Sequence, residues 1–258
     1  MVWLEPDQYE AYFETETARL SAGLSTLEPQ APVPTCPGWT VRDLVTHVGT
    51  GHRWAAEIVE GRLQAPAPYV IAQAPQEQGS WADWLTAGAR RLAEAVRDGG
   101  PGRPVWTWRP EEGTAAFWLR KMLHDELVHR FDIELARGRL GEVATDVAAD
   151  GVSDLLASIA TLSPPDSSDP VFGGLIGTGQ TLQLCAIDPG LAAGDWFVER
   201  TPAGVAWRRG YTPADVTVRA PARELLLVLN RRLDPAHQGV EVTGDRGLFT
   251  HWLEHSRF

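Results

Sequence analysis

The residues with the clearest capacity for chemistry lie in one short stretch, His124-Asp125-Glu126-Leu127-Val128-His129. In a helix, at about 100° per residue, Asp125 and His129 lie about 40° apart on one face and one turn apart. A carboxylate and an imidazole placed in this way can bind the same metal ion. A divalent metal needs at least one more protein ligand, so another helix must supply it.

His47 is the best donor for that third position. It lies in the apolar run Leu44-Val45-Thr46-His47-Val48, which predicts a helix packed into a core. Facing helices of a bundle build metal sites from such inward-facing side chains. The sequence therefore predicts a metal site made of His47, Asp125 and His129.

Several alternatives stay open at this stage. His52 competes with His47, while Glu126 and His124 compete for a place in the ligand set. Lone histidines in apolar runs also occur as ordinary core residues, and Asp/His pairs four apart occur on exposed helix faces. A second histidine pair at the same spacing, His251 and His255, lies near the end of the sequence.

Other signatures of catalysis are weak or absent. The sequence contains no GxSxG, GxGxxG or P-loop pattern, and the glycines between 173 and 179 neither follow a strand nor open a helix. Cys36 lies just before a predicted helix, where the helix N-terminus favours a thiolate. A reactive thiol at Cys36 is therefore a further hypothesis, beside the simpler one that it packs in a turn.

Four helices are predicted to position the histidines and the carboxylate. Apolar residues recur at helical spacing over 7–27, 40–59, 80–96 and 114–137, and loops rich in proline, alanine, glutamine or glycine separate these segments. Thr40 is the expected N-cap of the second helix, with Asp43 three residues later. The second helix is continuous only if Gly49 and Gly51 do not break it. We expect a four-helix bundle over residues 1–140.

The second half of the chain has a different pattern. A helix is predicted over 146–159, followed by a loop over 163–179 that is rich in proline, serine, aspartate and glycine. Runs with strand character follow at 181–187, 196–200, 205–208, 216–219 and 240–242, with helices over 221–232 and 244–255. The fold class is therefore α+β, with a small α/β domain over residues 141–258.

Composition excludes several classes of function. The formal net charge of −11 argues against a nucleic-acid partner, because phosphate binding needs a basic face. Two cysteines are too few for a disulfide framework, and no apolar run is long enough to cross a membrane. The first residues lack the pattern of a signal peptide. We therefore expect a cytoplasmic protein that takes small-molecule partners, with no nucleic acid and no membrane.

Three blocks of sequence resemble the mycothiol-dependent maleylpyruvate isomerase family, which belongs to the DinB-like superfamily of metal-binding four-helix bundles. The first block runs from Val33-Pro34-Thr35-Cys36-Pro37-Gly38-Trp39 to His47, and the second from Phe117 to Asp132. The third covers Asp215 to Asp245, including Ala222-Arg223-Glu224-Leu225-Leu226 and Asn230-Arg231-Arg232. This last block is similar to the family's C-terminal domain, which resembles sterol-carrier-type folds.

The resemblance implies site residues and cofactors. The two histidine ligands of the family fall on His47 and His129, and its usual glutamate falls on Asp125, which is one methylene shorter. Zinc is the expected metal, with nickel, iron or manganese as alternatives that the same ligands accept. Mycothiol is the expected thiol cosubstrate. Arg231 matches an arginine of the C-terminal block, which implies a catalytic or thiol-binding role through an anionic group; an inter-domain or surface ion pair is the alternative.

The spacing of Asp132 and Trp118 from the candidate ligands on the same helix suggests that they also belong to the site. Asp132, which lies one turn after His129, can hold a ligand imidazole or face solvent. Trp118 lies two turns before Asp125 on the same helix. Eleven tryptophans are many for 258 residues, and we expect Trp118, with Trp54, Trp106 and Trp108, to wall an apolar cavity above the metal and bind the cofactor or substrate.

These observations lead to one main hypothesis and two others. The main one is a divalent-metal-dependent, mycothiol-linked isomerase or thiol S-transferase that acts on a small electrophilic, unsaturated metabolite. The second keeps the fold and metal but has a thiol-independent biosynthetic or resistance reaction, because Asp125 departs from the family's glutamate. The third is a non-catalytic protein that binds a small molecule or metal. The chain is expected to be a monomer or a homodimer.

Overall fold

The computed structural model describes residues 4–165, 170–192 and 194–256. This part of the chain divides into two compact units, residues 4–141 and the residues from 142 onward. The first unit is helical, and the second combines helices with a sheet, so the fold class is α+β as predicted. Part of the predicted loop over 163–179, residues 166–169, and the first three residues of the N-terminus lie outside the described residues.

The helical unit contains the four predicted helices. They are α1 (Pro6–Leu24), α2 (Val41–Glu60), α3 (Trp81–Gly99) and α4 (Ala115–Ala136). Helix α1 packs mainly on α4 and α3, and α2 packs mainly on α3 and α4. The first helix ends at Leu24, three residues earlier than predicted, and is followed by a turn in which the Leu27 N–H donates to the Leu24 carbonyl at 3.2 Å.

Helix α2 begins as predicted at Thr40. The Thr40 hydroxyl accepts a hydrogen bond from the backbone N–H of Asp43, and the Asp43 carboxylate accepts from the backbone N–H of Thr40 at 2.8 Å. This reciprocal capping box satisfies two of the N–H groups that a helix start leaves without partners. Hydrogen bonds from Thr40 also hold the pKa of the Asp43 carboxyl below its usual range.

The two glycines of α2 do not break the helix, because each lies where a neighbouring helix approaches closely. A methyl group at Gly49 would overlap the ring of Trp84 on α3, and one at Gly51 would lie 3.1 Å from the Met122 sulfur on α4. Small residues at these positions let α2 pack against both helices, and the buried contacts compensate for the poor helix propensity of glycine.

Helix α4 is buried over much of its surface. Fourteen of its residues are buried, and they lie on several faces of the helix. Buried polar contacts connect it to α1: the Thr17 hydroxyl donates to the Glu126 carboxylate at 2.8 Å, and Arg130 forms an ion pair with Glu16. Burial raises the pKa of the Glu16 carboxyl, although the positive charge of Arg130 opposes this effect.

The second unit is built on a five-stranded sheet within its described residues. The strands are β1 (Gln180–Ala186), β2 (Asp195–Thr201), β3 (Gly204–Arg209), β4 (Val216–Ala220) and β5 (Glu241–Gly244). Their order is β3-β2-β1-β4-β5, with β1 and β4 parallel and the other neighbours antiparallel. The five strand segments were all predicted.

Helices pack against this sheet. Helix α5 (Thr145–Leu162) and helix α7 (Ala222–Leu229) contact each other and the strands, while α8 (Arg246–His255) contacts β4 and the short α6 (Pro170–Gly173). The indole N–H of Trp196 on β2 donates to the Ser153 hydroxyl on α5 at 2.9 Å. Helix α7 ends earlier than predicted, and Arg231 just beyond it adopts a left-handed backbone conformation with φ +60°. Across both units, the described helices include none that is both long enough and apolar enough to span a membrane.

The close approach at Gly49 gives a first testable prediction. The Trp84 ring cannot move away freely, because the Arg53 guanidinium stacks on it at 3.9 Å and donates to the Trp84 carbonyl. We expect Gly49→Ala to lower the free energy of unfolding by about 1–3 kcal/mol, as overpacking does, instead of stabilising the helix. Urea denaturation followed by circular dichroism measures this change.

Gly79→Ala is the matched control. Gly79 lies in an exposed single turn of 3₁₀ helix (Gln78–Ser80), and a methyl group there would meet no atom within 4 Å. We expect its effect to stay within about 0.5 kcal/mol. Equal stabilities of the two variants would show that α2 and α3 are not in close contact at Gly49.

Candidate metal centre

Helices α2 and α4 bring the three predicted ligands together. Each of His47, Asp125 and His129 offers one potential ligand atom, and these three atoms all lie within 4.8 Å of one another. The His47 Nε2 atom is 3.5 Å from Asp125 Oδ2, and the rings of His47 and His129 meet edge to face with centroids 4.9 Å apart. The helical spacing of Asp125 and His129 therefore places both on the side of α4 that faces His47.

The cluster is accessible on one side. The side chains of His47 and Asp125 are 36% and 28% exposed, while His129 is nearly buried. Two imidazole nitrogens and one carboxylate oxygen suit a divalent transition metal. The exposure of His47 and Asp125 leaves space for further ligands, such as water or a thiol.

The electrostatic environment favours a positively charged His47 and a negatively charged Asp125. Burial alone would raise the pKa of the Asp125 carboxyl, but hydrogen bonding to His47 and the electrostatic effect of His47, with smaller effects of His129 and Lys121, hold the pKa far below its usual range. Burial disfavours the imidazolium of His47, yet Asp125 outweighs it and raises the His47 pKa. The cluster thus attracts positive charge, and a divalent cation can take the place of the proton on His47.

Asp132 lies against His129 and does not face solvent. Its carboxylate is fully buried, and Oδ2 is 2.8 Å from the Nδ1 atom of His129. The same carboxylate accepts hydrogen bonds from the Thr35 hydroxyl at 2.6 Å and the Cys36 thiol at 3.2 Å. Cys36, His129 and Asp132 form a second group of potential ligand atoms that lie within 4.8 Å of one another.

Trp39 borders both histidines of the cluster. Its ring stacks at 25° on His129 with centroids 5.8 Å apart, and it contacts His47 at 4.9 Å. Trp39 belongs to the loop over residues 32–40, which also contains Thr35 and Cys36. One loop therefore contacts candidate ligand residues of both helices.

The rival ligands face a different part of the bundle. Glu126 is fully buried and pairs with His52, whose Nε2 atom lies 3.6 Å from Glu126 Oε2. Glu126 also accepts the hydrogen bond from Thr17 described above. Neither Glu126, His52 nor His124 belongs to a close group of potential ligands among the described residues. Asp125 is thus the carboxylate that the geometry favours.

Trp118 belongs to a continuous cluster of aromatic rings. It meets Trp54 edge to face at 5.0 Å and Phe117 at 5.1 Å, and its indole N–H donates to the Trp106 carbonyl at 2.8 Å. Trp54, Trp106 and Trp108 are partly exposed, whereas Trp118 is fully buried. The three partly exposed rings are accessible to a ligand in this conformation, and the role of Trp118 in cofactor binding stays a prediction.

Tyr69 is a candidate site residue that the sequence did not reveal. It lies in the loop between α2 and α3, half exposed, and packs edge to face on Trp54 at 5.2 Å. Burial first, and then the negative charge of Asp125, raise the pKa of its phenol. Tyr69 is thus a member of the aromatic cluster whose phenol is affected by the charge of Asp125. The three successive apolar residues Tyr69-Val70-Ile71, all exposed, are the signal that could have indicated it.

Arg231 lies in the second unit. It borders a cleft of about 390 Å³, together with Leu233, Thr250 and Leu253. Its left-handed backbone is unusual for a residue other than glycine and is often found at functional sites. Its assignment to an anionic group of the thiol or substrate stays a prediction.

The other predicted histidine pair also lies in the second unit. His251 and His255 stack with ring centroids 4.2 Å apart, and His251 Nε2 is 2.7 Å from the Gly174 carbonyl oxygen. Neither histidine belongs to a group of three close potential ligands among the described residues. This pair is therefore explained by packing and backbone contacts.

Comparison with known proteins identifies the family. The model of the mycothiol maleylpyruvate isomerase N-terminal domain matches residues 12–134, and the model of the MDMPI C-terminal domain matches residues 146–251. No curated protein matches the chain.

Two solved structures share the fold over nearly the whole chain. A crystal structure of a histidine-to-alanine mutant of the mycothiol-dependent maleylpyruvate isomerase aligns with a TM-score of 0.61 at 14% identity. A second crystal structure of the mycothiol-dependent maleylpyruvate isomerase aligns with a TM-score of 0.56 at 15% identity. Each alignment covers 99% of this chain and 98% of the other. With family models matching both of its halves, the chain belongs to the mycothiol-dependent maleylpyruvate isomerase family.

Proposed function

We propose that the chain is a divalent-metal-dependent, mycothiol-linked isomerase or thiol S-transferase that acts on a small electrophilic, unsaturated metabolite. The observation that carries the proposal is the convergence of His47, Asp125 and His129 within 4.8 Å on two packed helices. Membership of the family supports the thiol and the isomerase class.

The donor set supports a metal cofactor, with zinc as the first choice. The same two imidazoles and carboxylate also accept nickel, iron or manganese. His47, Asp125 and His129 would hold the ion, and the partial exposure of the first two leaves room for a thiol. When bound, a divalent metal supplies the positive charge that favours the thiolate form of a coordinated thiol.

The chain's own residues would orient the reactants. Trp39 lies beside the ligand cluster, in contact with His47. Tyr69 packs on Trp54 and belongs with it to the aromatic cluster. Apolar rings of this kind bind an unsaturated carbon skeleton and exclude water. We assign to Arg231 the binding of an anionic group of the thiol or substrate, because its guanidinium can form a two-pronged hydrogen bond with a carboxylate.

The reaction begins when the thiolate adds to the electrophilic double bond. The addition forms a C–S bond, turns the double bond into a single bond and leaves a carbanion on the neighbouring carbon. In an isomerase the single bond rotates and the carbanion expels the thiolate, which restores the double bond in the other geometry. In a transferase the carbanion takes a proton and the sulfur stays on the product. The two outcomes differ in whether the thiol is consumed. Thiol quantification during turnover of candidate substrates therefore separates them.

The metal prediction is tested by the metal content of protein purified without a histidine tag. We expect about one divalent ion per wild-type chain, and at least a tenfold loss of metal affinity in each of His47→Ala, Asp125→Asn and His129→Ala, because two remaining ligands bind weakly. Elemental analysis and chelator competition measure both quantities.

Two variants serve as matched controls for this experiment. Glu126→Gln changes the neighbouring carboxylate, and His255→Ala removes an imidazole from the second unit; both should retain wild-type metal content. Asp125→Glu restores the usual ligand of the family and should also bind. Metal-free wild-type protein, or loss of metal in Glu126→Gln with retention in Asp125→Asn, would contradict the proposed site.

The thiol prediction is tested by calorimetric titration of the metal-loaded protein with mycothiol. We expect saturable binding that Arg231→Gln weakens about tenfold, or ~1.4 kcal/mol. Arg246→Gln, which changes an exposed arginine at the start of α8 outside this cleft, should leave the affinity unchanged. A metal-loaded protein without any thiol response would instead favour the thiol-independent enzyme or the binding protein as its function.

A further inference from the structure

The loop over residues 32–40, the clamp loop, is folded by its own backbone. The Cys36 N–H donates to the Val33 carbonyl, the Val33 N–H to the Trp39 carbonyl, and the Trp39 N–H to the Cys36 carbonyl, all at 2.9–3.0 Å. Residue Thr40 at its end caps α2. The clamp loop is therefore a defined structure whose position relative to α2 is fixed, in spite of its prolines and its glycine.

This loop reaches across to α4 and holds the Asp132 carboxylate. The Thr35 hydroxyl donates to Oδ1, while the Cys36 thiol and the Nδ1 atom of His129 both contact Oδ2. Asp132 is fully buried, and a buried carboxylate requires donors of this kind to offset the loss of water. An ionised carboxylate only accepts hydrogen bonds, so the proton at the His129 contact must be on Nδ1.

We propose that Asp132, held by Thr35 and Cys36, is a positioning residue that fixes His129 in the tautomer with a proton on Nδ1. Nε2 is then left with a free lone pair for the metal. The inference rests on the proposed function, because it assigns Nε2 as the ligand atom of His129. A ligating imidazole commonly gives its other N–H to a carboxylate, and loss of that partner weakens metal binding by about 10- to 100-fold.

Trp39 of the clamp loop also restricts the second histidine, His47. Its ring contacts both His47 and His129, so the clamp loop restricts the ring of one ligand on each helix. Cys36 thereby acquires a role that differs from both hypotheses drawn from the sequence, a reactive thiol and simple packing in a turn. It is buried and donates its hydrogen bond to Asp132, as part of the support of the site.

The alternative is a cation bound by Cys36, His129 and Asp132 themselves, since these three are also close. We favour positioning because both oxygens of Asp132 already accept hydrogen bonds from the protein. A cobalt-loaded protein distinguishes the two arrangements. A thiolate ligand gives an intense charge-transfer band in the near ultraviolet, which Cys36→Ser would abolish; such a band would overturn the proposal.

The decisive test combines two readouts on Asp132→Asn. In the metal-free protein, ¹⁵N NMR of the histidine rings should show His129 in the Nδ1–H tautomer in the wild type. In Asp132→Asn the amide can donate to Nδ1, so the Nε2–H tautomer should become populated. Chelator competition with zinc should show metal affinity reduced about 10- to 100-fold.

Conservative variants separate positioning from loss of fold. Cys36→Ser keeps a donor to Asp132 and should bind zinc within about threefold of wild type, whereas Thr35→Val combined with Cys36→Ala removes both donors and should weaken binding about tenfold. Thermal melts verify that each variant is folded. Folded Asp132→Asn with wild-type tautomer and wild-type zinc affinity would overturn the proposal.

Failure of the proposed function gives a different result. Wild-type protein that binds no metal would refute the metal-dependent function, while the tautomer measurement on the metal-free protein would still decide whether Asp132 positions His129. Wild-type protein that binds zinc, with the Asp132→Asn protein unaffected in both readouts, would refute only the positioning role.

Discussion

The close packing of α2 against α4 is the constraint on which the candidate site depends. One turn of helix presents two side chains to the same point in space, and α4 provides Asp125 and His129 in this way. The third candidate ligand, His47, contacts them only because α2 lies close by, and the glycine at 51 permits that approach to Met122. Residues without any chemistry of their own therefore determine whether the ligands meet.

The clamp loop both caps helix α2 and holds the Asp132 carboxylate on helix α4. Thr40 and Asp43 fix the residue at which α2 begins, and in a helix the starting residue sets which face each later side chain occupies. The same loop, through Thr35 and Cys36, holds the carboxylate behind His129. The orientation of His47 and that of His129 thus depend on one short segment, which couples the start of one helix to the middle of another.

Much of the fold and the core of the site could be predicted because they follow from local rules. The spacing of Asp125 and His129, the apolar run around His47 and the cap at Thr40 are properties of single helices. The choice between Asp125 and Glu126 is different: adjacent residues point about 100° apart, and only the positions of Thr17 and His52 show where Glu126 is directed. Tyr69 could not be found from periodicity, since its loop has none.

The arrangement of Asp125, His129 and Asp132 on α4 also bears on how the chain can change in length. They occupy successive turns of one helix, so a single inserted residue between them would rotate the later ones by about 100°. Such a rotation would separate the candidate ligands Asp125 and His129 from each other, or His129 from Asp132. The loop over 64–77 and the loop before α4 carry no such register. Insertions and deletions in those two loops can therefore alter the shape of the surrounding surface and leave the ligand cluster intact. Insertions and deletions within the two turns of α4 that contain these residues would disrupt the cluster.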